Sequence, residues 1–405
     1  MSLLLWARIP TLLVLWWTRL LRKPPRPIGQ ARVSFIVFRL DALGDLVLAT
    51  PLFRELKRNY PQSSLTVVAQ DAYKSVLITN PYIDKVLTVR PDRRAWLPKG
   101  VPNLIAAIRF YWRELRGRKF DVCISPRWDT DEHLATLLCC LTRAGLRVGY
   151  SERASAGKRR YNARFDRAFD ICMDPGPLQH EVLRNLQVVK ALGGSVRDSS
   201  IEIHLTSRDR EYAHRVLQGT SDDSIVVALG IGAQAPGRRW PLERYAACVS
   251  ELSDRLPLQV IVTCAPPEHS QALLLAAMIP GPAVVCDSAE IREACAVLEN
   301  CDLYIGNDTG AAHLAAAMGC PAIVISRHPR SGSPEHPNSP QRFAPHCEQV
   351  RVLQPEHGLD ECKARCVHIE PHCILQISVP EVLALAREML ARNRQTRKHL
   401  QASLA

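Results

Sequence analysis

Short β-branched runs recur along this chain, and stretches with helical hydrophobic spacing separate them. The first run, residues 33–39 (VSFIVFR), leads at once into LDALGDLVLATPLFRELKRNYP, where Leu43, Leu46, Val47, Pro51, Leu52 and Leu56 recur at helical spacing. Runs at 65–69, 86–89, 121–125 and 147–150 extend the pattern to about residue 205. A fresh series starts at 224–229 (SIVVAL) and continues at 258–262, 283–286, 303–305 and 322–325, with helical stretches around 242–256 and 291–298. Strands separated by helices are joined by crossovers that cover the sheet faces, so the sheets are expected to be parallel. The chain reads as α/β, two Rossmann-like domains in tandem. Boundaries are expected at 1–30 (an apolar, basic, Trp-containing segment and linker), 31–205, 206–378 and 379–405 (a last helix and basic tail). Length agrees, since 405 residues at roughly 150 per domain leave room for two domains and extra segments. Apolar residues at 47% and charged residues at 23% exclude a fibrous or wholly disordered chain.

Residues 3–21, LLLWARIPTLLVLWWTRLL, are strongly apolar, but Arg8 and Pro10 divide them. The uninterrupted part, 11–18, falls far short of the ~20 residues that a membrane span requires. A cleavable secretory signal is not expected either, because the basic residues follow the apolar part as RKPPRP and no small-x-small site appears. At about 100° per residue Arg8, Arg19, Arg22 and Lys23 share one side, with Trp6 and Trp17 roughly opposite. This suits a helix lying in the headgroup layer of an anionic membrane. A true span and a helix packed on its own domain are the alternatives, and neither Rossmann core is expected to need the segment. The 52 basic against 40 acidic residues, net +12, favour anionic partners. Arg109, Arg113 and Arg116, at i, i+4 and i+7, would add one basic helical face.

Fourteen cysteines, half of them inside apolar segments, imply no disulfide framework and read as reduced thiols of a cytoplasmic protein. Cys362, Cys366 and Cys373, with His357, His368 and His372 nearby, have the chemistry of metal ligands. Only one close cysteine pair is present, so a packed loop of reduced thiols without metal is the expectation.

Residues 230–235 spell G-x-G-x-x-A after a strand, yet Pro236, Gly237 and Pro241 follow where a dinucleotide site needs a helix to open. A flexible loop beneath a ligand, with Gly232 allowing close approach, fits better. Three stretches carry chemistry. In Gly44-Asp45, between the first strand and its helix, a glycine permits close approach. The aspartate is expected to be ionised by the helix start, and a plain capping role is the competing reading. In G-N-D-T-G, residues 306–310, a buried strand ends and a small-residue helix begins. Thr309 and Gly310 would present amides to an anion, Asp308 would accept from sugar hydroxyls, and His313 is either a ligand contact or a core histidine. In Pro236-Gly237-Arg238-Arg239-Trp240-Pro241, paired arginines suit a diphosphate, against a solvated loop with a packed Trp.

The ordered trio FRLDALGDLVLATP (38–51), RRWP (238–241) and GNDTGAAHLAAAMG (306–319) resembles glycosyltransferase family 9, the ADP-heptose:lipopolysaccharide heptosyltransferases. The resemblance covers residues 33–390 and implies the GT-B fold, two Rossmann-like domains facing a central cleft. It implies an N-terminal acceptor-binding domain, a C-terminal nucleotide-sugar-binding domain, and an inverting transfer without a required metal or cofactor. Asp45 matches the family's general base. Arg238 stands where the family usually has Lys, which keeps the charge. Asp308, Thr309, Gly310 and His313 match its donor-binding D-T-G-x-x-H, and Glu268 falls where its ribose-binding acid lies, on a looser match. The segment before residue 33 departs from many relatives. The implied partners are ADP-heptose, a lipopolysaccharide core on lipid A and an anionic membrane surface, with no nucleic acid, at the inner face of the inner membrane. A GT-B transferase with another nucleotide-sugar, or a non-catalytic sugar- or lipid-binding module, are the rival readings.

Overall fold

The computed structural model describes residues 9, 12–17, 32–90, 101–221, 223–288, 290–362 and 369–404. The chain divides into two compact units, Met1–Ser199 and Ser200–Ala405. Among the described residues the first unit has β1 (Ser34–Phe38), β2 (Ser64–Gln70), β3 (Lys85–Val89), β4 (Val122–Ser125), β5 (Leu146–Tyr150) and β6 (Ile171–Met173). They form one parallel sheet in the order β3-β2-β1-β4-β5-β6. The second unit repeats the plan with β7 (Ile225–Gly230), β8 (Leu258–Thr263), β9 (Ala283–Cys286), β10 (Leu303–Asn307), β11 (Ala322–Ile325) and β12 (Val350–Leu353), ordered β12-β11-β10-β7-β8-β9. This is the Rossmann order in both units, as expected from the alternation.

Central strands show why the pattern was so apolar. Along β1, Phe35 and Val37 point into a core with Leu46, Leu52, Phe53 and Leu56, while Ile36 and Phe38 point into the opposite core with Phe110, Leu138 and Phe165. A strand covered on both faces has no position for a polar side chain, so it reads as an unbroken apolar run. In the second unit, Val382, Leu383, Ala386, Met389 and Leu390 of the terminal helix Val379–Leu404 join the core on the face of β10 and β11.

Two expectations need correction. Leu15, in the N-terminal helical residues 12–17, is buried in the first unit's core, with Leu12 and Val14 packed against it. That unit therefore does use the segment. Its other side, Ile9, Leu13, Trp16 and Trp17, is exposed. Arg8, Arg19, Arg22, Lys23 and Trp6 lie outside the described residues. Among the described residues no helix is long and apolar enough to cross a membrane. The second correction concerns Arg109, Arg113 and Arg116. The α-helix Val101–Phe110 passes into a π-turn, Tyr111–Leu115, closed by Arg116 N–H donating to Tyr111 O at 2.9 Å. The i, i+4, i+7 face fails at Arg116, which closes the π-turn and leaves the helix with φ −58° and ψ 126°. Arg113 instead pairs with Glu114 at 3.0 Å, and Arg116 stacks on Trp112.

Candidate functional site

In open parallel sheets ligands gather where the strand order reverses, at the carboxyl ends of the strands. In the first unit that place is the β1–β4 pair. Phe38 ends β1, and Arg39 turns its guanidinium wholly inside, a placement tolerable only with charged partners. Arg39 Nη2 donates to Glu181 Oε1 at 2.8 Å, its Nε stands 3.4 Å from Asp41, and its Nη2 stands 3.5 Å from Asp45. Arg127, just past β4, mirrors it at 3.3 Å from Asp41 and 3.6 Å from Asp45. Two guanidiniums thus bridge two aspartates. Lys158 Nζ donates to the Arg127 carbonyl at 2.7 Å, and burial pushes its pKa down to about 8.

Asp45 lies in the short helix Leu43–Val47, beside Gly44, and its side chain keeps 17% exposure. Its ion pairs are longer than hydrogen bonds, which leaves carboxylate lone pairs for another donor. Burial pushes its pKa up; Arg127 and Arg39 oppose this, and Asp41 and Glu181 add to the rise, so it stands above the ordinary Asp value. The sequence reading expected the helix start to dominate, but the guanidinium pair and desolvation do. Asp41 differs: burial raises it, but Arg127, Arg39, His133 and Lys158 outweigh that and hold it below the usual range. Two neighbouring carboxyls are thereby pushed apart in acidity.

In the second unit the reversal falls between β7 and β10, and buried Asn307 organises it. Its Nδ2 donates to Ile231 O at 2.8 Å, while its Oδ1 accepts from Trp240 N–H at 2.9 Å and Tyr245 O–H at 3.1 Å. One amide thus pins both ends of the loop between β7 and the helix Leu242–Ser253. Trp240 is buried, edge-on to Tyr245, and the two preceding arginines remain partly exposed. Arg238 donates to the Asp308 carbonyl and stands 3.6 Å from its carboxylate, which also accepts from Ser326 Oγ at 3.2 Å. Burial raises the Asp308 pKa against the pull of Arg238, Ser326 and Arg327.

Thr309 caps the helix Gly310–Ala317 in an extended conformation and makes no side-chain bond to its first turn. Ala312 N–H donates to Thr309 O at 3.1 Å, and the amides of Gly310 and Ala311 before it point out of the helix start, where an anion would sit. His313, on the same helix, is buried. Glu268, in the turn after β8, accepts from Ala265 N–H at 3.1 Å and lies 3.9 Å from Arg239. Its carboxylate lies against Gly232: a Cβ there would sit 2.2 Å from Glu268 Oε2, so any larger residue would push that carboxylate aside. Arg239 donates to the Ala233 carbonyl at 3.0 and 2.9 Å. Arg238, Asp308, Thr309 and Gly310 therefore form one group, Glu268, Gly232 and Arg239 a second, and Asp45 belongs to the other unit.

Sequence reasoning missed Arg39, Asp41, Arg127, Glu181, Lys158 and Asn307. Arg39 and Asp41 carried a signal, since charges at the end of an apolar strand run demand partners. Arg127 and Glu181 carried none. Among the described residues one group could hold a metal: Cys362, His372 and Cys373, with ligand atoms within 4.8 Å of one another. Cys366 and His368 lie outside the described residues.

A family model for glycosyltransferase family 9 (heptosyltransferase) matches residues 108–352. The Asp45 motif thus precedes the matched segment, and both second-unit motifs lie inside it. Lipopolysaccharide heptosyltransferase 3 of Escherichia coli is 24% identical over 70% of this chain and 80% of its own length. Lipopolysaccharide core heptosyltransferase OpsX of Haemophilus influenzae is 21% identical, over 73% and 79%. Among solved structures, a family 9 glycosyl transferase from Veillonella parvula superposes with a TM-score of 0.69 at 20% identity, covering 90% of this chain and 99% of that one. The E. coli heptosyltransferase WaaC, solved with ADP, gives 0.64 at 16% identity, over 88% and 99%. At such identities the structural likeness speaks for the fold, the paired Rossmann domains of the GT-B class. The family match spans more than half the chain and contains the loop and helix start built around Asn307. On this evidence the chain belongs to glycosyltransferase family 9 (heptosyltransferase) and is a glycosyltransferase.

Proposed function

We propose that the protein moves a heptose from ADP-heptose to a hydroxyl of the lipopolysaccharide inner core, with inversion and with Asp45 as general base. The observation that carries the reading is the Asp45 environment: a partly exposed carboxylate of raised pKa, steered by Arg39 and Arg127 at the β1–β4 reversal. A base is most effective when its pKa approaches the working pH, and desolvation moves Asp45 that way. The acceptor oxygen attacks the anomeric carbon as Asp45 removes its proton, and the bond from that carbon to the diphosphate breaks. ADP leaves with the electron pair. Negative charge grows on the diphosphate, where Arg238 and the first amides of the helix Gly310–Ala317 stabilise it. Asp308 and Glu268 accept from sugar hydroxyls. No cofactor takes part in this scheme.

The named relatives act on lipopolysaccharide, and family membership supports the same acceptor class here. Peripheral attachment to the inner face of the inner membrane is part of the proposal, supported by the outward row Ile9, Leu13, Trp16 and Trp17. Another nucleotide-sugar is the second reading, since the groups around Asp308 address a diphosphate more than a particular sugar. The test is turnover of a heptose-deficient core acceptor with ADP-heptose, UDP-sugars and GDP-sugars in parallel. Transfer from ADP-heptose alone is expected; transfer only from a UDP- or GDP-sugar would overturn the donor assignment.

A further inference from the structure

Residues 369–377 back the loop that carries Arg238. The carbonyl oxygens of Ile369 and Glu370 come so near Gly237 that a Cβ there would stand 3.0 and 3.2 Å from them. Trp240 Nε1 donates to Ile377 O at 3.0 Å, and Arg244 Nη1 donates to Leu375 O and Ile377 O at 2.7 and 2.8 Å. Whatever anchors 369–377 therefore also steadies the paired-arginine loop.

Three soft donors stand at that anchor. Cys362 ends the 3-10 turn Asp360–Cys362, and His372 precedes the turn Cys373–Gln376. Their ligand atoms lie within 4.8 Å of one another, and Cys373 is buried. The histidine is oriented as a ligand would be. Nδ1 lies 2.8 Å from Glu370 O, and a carbonyl can only accept, so Nδ1 carries a proton. In the neutral ring Nε2 then holds the lone pair, 3.1 Å from Cys362 Sγ. An imidazole whose far nitrogen donates to a backbone carbonyl is the usual arrangement of a metal-bound histidine.

We propose that Cys362, His372 and Cys373 bind a zinc ion that staples residues 369–377 against the Arg238 loop. Two thiolates and an imidazole suit zinc and disfavour magnesium or calcium, which take oxygen ligands. Binding sends the two thiol protons to solvent, so affinity rises with pH. The ion takes no part in sugar transfer. Spacing alone points to reduced thiols because only one close cysteine pair is present.

The test uses the full-length protein purified in reducing buffer without chelator. Elemental analysis is expected to find about one zinc per chain, before or after incubation with zinc sulfate and gel filtration. Cobalt(II) in its place should show thiolate-to-metal charge transfer and the visible bands of a tetrahedral site. Cys362→Ser, Cys373→Ser and His372→Ala should each lower zinc affinity by at least ~10-fold, whereas Cys172→Ser, in β6, should not. If a variant fails to fold, the metal content and cobalt spectrum of the unaltered protein still decide. Less than about a tenth of an ion per chain after incubation, or a Cys362–Cys373 disulfide found by peptide mapping under reducing purification, overturns the proposal.

Discussion

Replacing Asp45 by Asn removes a base while leaving almost the same shape. In the first unit Asp45, Asp41 and Glu181 face Arg39 and Arg127, with Lys158 behind Arg127. The substitution deletes one negative charge from this group. Because burial raises the Asp45 pKa, the folded protein binds that proton more tightly than the unfolded chain does. The stability this contributes is present below the ordinary Asp value and is lost as pH rises through the raised one. At neutral pH the ionised Asp45 is thus a burden on the fold, and a neutral Asn should leave the melting temperature unchanged or slightly higher. Turnover should behave differently. Loss of a general base costs roughly 10²–10⁴ in kcat, or about 2.7–5.4 kcal/mol of barrier at 1.36 kcal/mol per decade. ADP affinity should hold, since the groups assigned to the donor lie in the second unit. The wild-type enzyme should also lose kcat/KM on acidification at a pH above the ordinary Asp range, and that limb should vanish in the variant. Stopped-time transfer assays across pH, calorimetry with ADP and a thermal melt read all of this. A variant that keeps more than about a tenth of wild-type turnover, or loses activity only by unfolding, refutes Asp45 as the base.

Asp41→Asn should do the reverse and destabilise the first unit, because Arg127 and Arg39 hold Asp41 below its usual range. A depressed carboxylate contributes above its unfolded pKa and loses that contribution as pH falls through the folded one. The gap in melting temperature to wild type should therefore close on acidification. Arg238→Ala should weaken ADP binding by about 1.5–3 kcal/mol, the worth of a charge-assisted hydrogen bond; unchanged affinity in calorimetry would remove Arg238 from the donor site. Trp16→Ser with Trp17→Ser should reduce sedimentation with vesicles of anionic phospholipid and leave the melting temperature alone, because both side chains are exposed. Leu15→Ala should instead cost ~2–5 kcal/mol of stability as a core truncation. Unchanged vesicle binding in the double variant would move the membrane contact elsewhere.

Every strand except β6 and β12 was legible as an apolar run, the central ones because they are buried on both faces. Of the four edge strands, β3 and β9 keep such a run, whereas β6 (Ile171–Met173) is only three residues long and β12 (Val350–Leu353) is interrupted by Arg351. Asp45, Arg238, Asp308, Thr309 and Gly310 could be picked out as chemically apt residues in the turns and helix starts after strands, since a parallel sheet presents those segments at one edge, whereas Glu268 was reached only through the family resemblance. The sequence by itself determined two Rossmann halves and the loops that carry chemistry, since periodicity reports how each residue is buried relative to its near neighbours. Only the tertiary structure decided which distant residues meet. Arg127 reaches Asp45 because β4 lies beside β1, and Glu181 reaches Arg39 from a helix far along the chain. The π-turn that breaks the arginine face, the burial of Leu15 and the gathering of Cys362 with His372 and Cys373 are of the same kind. Each depends on the path of a crossover or loop through space, which no local pattern of residues records.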